Sequence, residues 1–160
     1  PGRLLVGAVG RLSPEKGFDL LIRAVAQLIG EGLDLELWIA GEGEEKAALK
    51  AQAAATGHGD RIRLLGFRAD TVGLFECFDL FCLSSLREGL PNVVLEAMAM
   101  EVPVLATRCG GIDSFARDGT DMLTVEAGSA EALAGGLRRT VTEQRDRVAR
   151  ALHNRQVDAS

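Results

Sequence analysis

Cysteine and histidine are scarce in this chain of 160 residues. The three cysteines, Cys77, Cys82 and Cys109, form no CxxC pair, and the two histidines, His58 and His153, lie far apart. Neither a zinc site nor a disulfide framework is expected. The thiols read as small buried hydrophobes in or beside strands, and a reducing cytosol is the default location. Long apolar runs are also missing. No segment approaches the ~18 consecutive apolar residues that a membrane span needs. The opening residues PGRLLVGAVGRLSPEKG lack the basic start and cleavage site of a signal peptide. Neither export nor membrane spanning is expected, although Pro1 is no natural start and leaves room for a segment upstream. A surplus of positive charge is absent as well: the formal net charge is −5. That argues against a general nucleic-acid binder, whose affinity rests on neutralising phosphates with a basic face. Local basic spots remain open.

What is present is ordinary globular material. Hydrophobic residues make up 47% of the chain and charged residues 26%, and 160 residues suit one domain better than two short of core. Apolar runs bounded by glycine alternate with longer amphipathic stretches, a pattern of repeated strand–helix units. The expected fold is α/β: a Rossmann-like, doubly wound parallel sheet of about six strands with helices on both faces. Strands are expected at Leu4–Val9, Leu35–Ala40, Arg61–Leu65, Asp79–Leu83, Val102–Ala106 and Met122–Val125. Helices are expected at Phe18–Leu28, Glu44–Ala55 and Thr71–Phe78, another after Pro91, and a last one from a capping Ser129 to about Leu152. Residues 137–160 carry six arginines against Glu143, Asp146 and Asp158, so this stretch is +3 while the rest is −8. It reads as a solvated helix face; a surface meeting another domain or anionic lipid is the alternative.

In an open parallel sheet, ligands bind at the carboxyl ends of the strands. The loop after the first strand, Gly10-Arg11-Leu12-Ser13-Pro14-Glu15-Lys16-Gly17, sets two cations five positions apart in a glycine-bounded turn that opens a helix. Such a turn can grip a diphosphate with both side chains; a solvated arginine and lysine is the plain alternative. After the second strand comes Gly41-Glu42-Gly43-Glu44-Glu45-Lys46, a near miss to the dinucleotide fingerprint GxGxxG. Lys46 replaces the third glycine, and three carboxylates sit where a pyrophosphate would want positive potential, so a tight turn with an acidic cluster is the better reading. No GxxxxGK followed by Ser or Thr occurs, which leaves a P-loop nucleotidase unsupported. Gly66-Phe67-Arg68 could lie against a planar base, or be an exposed turn with Phe67 tucked into the core.

The fourth loop is the most specific. It runs Arg87-Glu88-Gly89-Leu90-Pro91-Asn92-Val93-Val94-Leu95-Glu96-Ala97-Met98-Ala99. On one helix, positions i and i+8 stand about 80° apart. Glu88 lies ahead of the helix, so the Gly/Pro turn can fold it back over the helix start while Glu96 points along the same edge. The amides of Gly89 to Val93 would then face the site with the positive helix end. A polyhydroxyl ligand carrying phosphate would suit this set.

The chain resembles the C-terminal, donor-binding domain of a retaining glycosyltransferase of family 4, also called group 1, with GT-B architecture. The matching residues are GRLSPEKG at 10–17, Ile39-Ala40-Gly41-Glu42-Gly43, Leu65-Gly66-Phe67, Glu88 to Glu96 as Glu-x7-Glu, Pro103-Val104-Leu105-Ala106-Thr107 and Gly110-Gly111. They run in order over residues 4–135. The resemblance implies a UDP- or GDP-linked sugar donor, no further cofactor and no essential metal; the chain contains no Asp-x-Asp. It assigns Arg11 and Lys16 to the diphosphate and leaving group, Glu96 to the ribose, and Glu88 with the turn Gly89, Leu90, Pro91, Asn92 and Val93 to the donor sugar. Arg11, Lys16 and Glu88 are thus the expected catalytic residues. Gly10 flanks the diphosphate loop, and Gly66, Phe67 and Arg68 border the base.

The whole of 1–160 is then a donor-binding domain, with Pro1 reading as a cut near an interdomain linker. A glycan, lipid or small-molecule acceptor would be held mainly by an N-terminal domain absent from the chain. A cytoplasmic location follows, with peripheral contact at the inner face of the cytoplasmic membrane as a further option. Two residues depart from the family pattern: Glu101 replaces the usual glycine before Val-Pro-Val, and Ser114 replaces the glutamate ending Gly-Gly-x-x-Glu. They are the only encouragement for the alternative, a non-catalytic sugar-nucleotide-binding or interaction module with a degenerate donor site.

Overall fold

A computed structural model describes residues 3–112, 119 and 122–159. Ser114 and Pro1 lie outside the described residues. Six strands form one parallel sheet: β1 Leu4–Val9, β2 Leu35–Ala40, β3 Ile62–Gly66, β4 Leu80–Leu83, β5 Val104–Thr107 and β6 Leu123–Val125. Their order is β3-β2-β1-β4-β5-β6. The helices are α1 Phe18–Gly30, α2 Lys46–Ala55, α3 Thr71–Cys77, α4 Asn92–Ala99 and α5 Ala130–Ala159, with a single 3-10 turn at Pro14–Lys16.

Strand alternation sorts the core into two layers. Val6, Ala8, Leu35, Leu37, Ile39 and Leu105 face one side, where Leu21, Val25 and Leu28 of α1, Leu49 of α2 and Leu133 and Leu137 of α5 cover them. Phe81, Leu83, Val104 and Ala106 face the other side, with Leu74 and Phe75 of α3 and Val94 and Ala97 of α4. Helices on both faces bury both sides of the sheet, as the near-continuous apolar strands require. The Gly7 position shows how close the second layer packs: a β-carbon there would run into the Phe78 ring.

Several boundaries differ from the expected ones. The second helix starts at Lys46 rather than Glu44, because the Glu45 amide is drawn to the Leu12 carbonyl at 2.9 Å and holds the preceding residues in a turn. The fifth strand starts at Val104 rather than Val102: Pro103 has no N–H to give, and the Val102 amide closes the end of α4 on Ala97. The last helix continues past Leu152 to Ala159. Of the cysteines, Cys82 is buried in β4 and Cys109 half-buried, but Cys77 is exposed at the end of α3, not packed as a core residue.

Candidate functional site

The strand order reverses between β1 and β4, so the loops leaving their carboxyl ends diverge and open a crevice between them. The first loop brings Lys16 and the other brings Glu88. Lys16 Nζ stands 2.7 Å from Glu88 Oε2, and Ser85 Oγ donates to the same oxygen at 2.6 Å. The two side chains are only 23% and 12% exposed, so the pair is partly withdrawn from water and poorly screened.

Main-chain contacts fix that geometry. Ser84 Oγ donates to the Lys16 carbonyl at 2.8 Å, and the Leu86 amide donates to the Glu15 carbonyl at 2.8 Å. Gly17 has φ 65°, and a β-carbon there would strike the Ser84 carbonyl, so both conformation and space demand glycine. From β5, Thr107 Oγ1 donates to the Ser85 carbonyl at 2.7 Å, and the Gly111 amide donates to the Gly89 carbonyl at 3.2 Å. Ser84, Ser85 and Thr107 are buried neighbours of this pair, and none of them is among the site residues expected from the sequence. Their signal was weak: two serines just ahead of the Glu88 loop, meaningful only once the strands are adjacent.

Arg11 lies in a second cluster above β1, β2 and β3. Its guanidinium contacts Glu44 Oε2 at 3.1 Å, with the side chains 70% and 53% exposed. A cavity of about 360 Å³ there is lined by Gly10, Arg11, Glu42, Phe67, Arg68 and Thr71, among others. Gly66 ties this edge to the β2 loop by accepting from the Gly41 amide at 2.8 Å. Phe67 is 74% exposed, which rejects the core-tucked option and leaves its ring available for stacking. A groove of similar volume, about 360 Å³, lies between the end of α4 and α5 and is lined by Glu101, Arg139 and Glu143. It holds none of the expected site residues.

The structure therefore joins Lys16 with Glu88, and Gly10 and Arg11 with Phe67 and Arg68. Glu96 stands exposed on α4 without a side-chain hydrogen bond or ion pair among the described residues. The Asn92 amide is not free for a ligand, since it donates to the Leu90 carbonyl at 3.0 Å around Pro91. Leu90 itself is exposed, and Val93 half-buried. Glu15, beside Lys16 and Arg87, is held below the ordinary carboxylate range mainly by its own backbone N–H. Burial chiefly pushes the nearby Cys109 thiol up. Among the described residues no group of His, Cys, Asp and Glu is placed to hold a metal ion, and no helix is long and apolar enough to cross a membrane.

Residues 3–143 match the family model for glycosyl transferases group 1. The chain belongs to that family. It is 39% identical over 139 residues to the lipopolysaccharide core biosynthesis glycosyltransferase LpsE of Rhizobium meliloti, covering 87% of this chain and 40% of the relative. The solved structure of HepE from Anabaena in complex with UDP-glucose shares 30% identity at TM-score 0.81, over 89% of this chain and 40% of that one. The C-terminal domain of a group 1 family glycosyl transferase, LpcC of Francisella tularensis, shares 25% identity at TM-score 0.80 and covers 89% of this chain and 77% of that one. The group 1 chain spans about 40% of the length of the curated relatives it matches. Its six-stranded parallel sheet corresponds to the C-terminal domain of GT-B glycosyltransferases.

Proposed function

We propose that this group 1 chain binds a nucleoside-diphosphate sugar and serves as the donor half of a retaining, metal-independent glycosyltransferase. The observation that carries the reading is the Lys16–Glu88 pair across the β1/β4 crevice, with the Arg11 and Phe67 cavity beside it. Lys16 and Arg11 supply positive charge for the diphosphate, and Phe67 with Arg68 offers a face to the base. Glu88 and Glu96 accept hydrogen bonds from the sugar and the ribose, and the turn from Gly89 to Val93 borders the sugar. HepE, solved with UDP and glucose and with UDP-glucose, supports a UDP-linked sugar donor, a GDP-linked one being the alternative.

Transfer would proceed by electrostatic stabilisation of the departing diphosphate and an oxocarbenium-like transition state. Glu88 is already engaged by Lys16 and Ser85, which suits a binding carboxylate better than the free nucleophile of a two-carboxylate glycosidase. A glycan, lipid or small-molecule acceptor would be bound mainly by residues outside this chain. A cytoplasmic site of action, with peripheral contact at the membrane, is part of the same reading.

Calorimetry with UDP, GDP and ADP tests it. At least one should bind with a clear preference over inorganic phosphate. Arg11→Ala or Lys16→Ala should each weaken that binding by about 1–3 kcal/mol, the scale of a charge-assisted hydrogen bond. No preference for any nucleoside diphosphate over phosphate would sink the reading.

A further inference from the structure

Carboxylates beside a diphosphate site cost affinity, yet the turn after β2 brings a cluster of them next to Arg11. Glu42 pairs locally with the first residue of α2, where Lys46 Nζ stands 2.9 Å from its Oε1. Glu44 instead reaches across to the β1 loop and meets the Arg11 guanidinium at 3.1 Å. Its placement is built by the backbone. The Leu12 amide donates to the Glu42 carbonyl and the Glu45 amide donates to the Leu12 carbonyl, both at 2.9 Å, so the residue after Arg11 is clasped on both sides of Glu44. A β-carbon at Gly43 would collide with the Leu12 carbonyl, so this close approach is available only to glycine.

We propose that Glu44 is a positioning residue for the donor site: it pairs with Arg11 and competes with the diphosphate for the guanidinium, loosening nucleotide binding and easing product release. The proposal rests on the reading of Arg11 as a diphosphate ligand. The side chains are 70% and 53% exposed, and exposed ion pairs are weak. A weak pair suits competition rather than blockade, because a polyanion can displace the carboxylate and the carboxylate can recapture the arginine as the product leaves. Only ligands that use Arg11 meet this competition.

Calorimetry on wild type, Glu44→Gln, Arg11→Ala and the double variant separates the possibilities, using whichever of UDP, GDP or ADP binds tightest and its parent nucleoside. Glu44→Gln keeps size and polarity while removing charge, and should bind the diphosphate about fivefold more tightly. The nucleoside should bind unchanged. Glu44→Asp, which keeps the charge, should show less than half the gain, while Glu44→Ala should match Gln. The gain should vanish when Arg11 is already alanine. Unchanged or weaker diphosphate binding in both Glu44→Gln and Glu44→Ala overturns the proposal, as does an equal gain in the Arg11→Ala background, which would mark a general charge effect. If wild type binds and Arg11→Ala weakens it while neither Glu44→Gln nor Glu44→Ala brings a gain, Glu44 alone loses its role. If no nucleoside diphosphate binds any of these six proteins, the donor-site reading fails and takes the Glu44 role with it.

Discussion

Glu101 occupies the left-handed region at φ 59°, where a β-carbon costs an ordinary residue about 1–2 kcal/mol. The position closes α4: the Glu101 amide donates to the Met98 carbonyl and the Val102 amide to the Ala97 carbonyl, both at 3.0 Å. Those two bonds form the paired helix-ending motif that favours glycine at this place. The departure visible in the sequence is therefore a cost to stability at the end of α4 remote from the Glu88 turn. Glu101→Gly should raise stability by about 1 kcal/mol, after allowing for the extra freedom glycine gains when unfolded. Urea unfolding would show a higher midpoint at an unchanged slope, with nucleotide affinity as in wild type; a lower midpoint would mean that Glu101 has found a compensating contact. Other residues were legible to different depths. Arg11 and Lys16 stood out by charge and spacing, but their partners Glu44 and Glu88 lie 33 and 72 positions away, and only the folded sheet brings them within reach.

At the scale of elements, glycine-bounded apolar runs, helical spacing and helix-forming composition placed the six strands and five α-helices of the described residues, because each apolar run has to be buried on a particular face. The ends were less legible, since they depend on tertiary hydrogen bonds such as Glu45 to Leu12. The Pro14–Lys16 turn had no apolar period to reveal it, being a single 3-10 turn without a buried residue. Ser129 is an end that the sequence does specify. Its Oγ accepts from the Ala132 amide at 3.0 Å, satisfying a donor that the start of α5 would otherwise leave open. The helix it caps packs Leu133, Leu137 and Val141 into the same core layer as α1, so fraying there exposes apolar surface. Ser129→Ala should cost about 1 kcal/mol by urea unfolding. A loss below a few tenths would mean that packing alone fixes the start of α5.

For the whole molecule, the deciding feature is the reversal of strand order between β1 and β4, which puts the Lys16 and Glu88 loops over the centre of the sheet rather than over an edge. The composition of the loops was readable, but the crevice between them was not, because it follows from which strands become neighbours. Ligand binding at this centre should stabilise the entire sheet, and Cys82 provides the reporter. It lies in β4 between β1 and β5, 1% exposed, with burial pushing its thiol pKa up to about 12. The thiolate is the reactive form, so alkylation of Cys82 near neutral pH requires opening of the sheet, whereas exposed Cys77 should react in the folded protein. Where reclosing outpaces alkylation, the labelling rate follows the open population. A nucleoside diphosphate at about 100 times its Kd adds roughly 2.7 kcal/mol to stability, so it should slow Cys82 labelling about a hundredfold and leave Cys77 unchanged. Peptide-resolved mass spectrometry reads both sites in one sample. Equal labelling of Cys82 and Cys77 without ligand would show that the central strand opens locally; a Cys82 rate unmoved by a ligand known to bind would place binding outside the cooperative unit that holds β4.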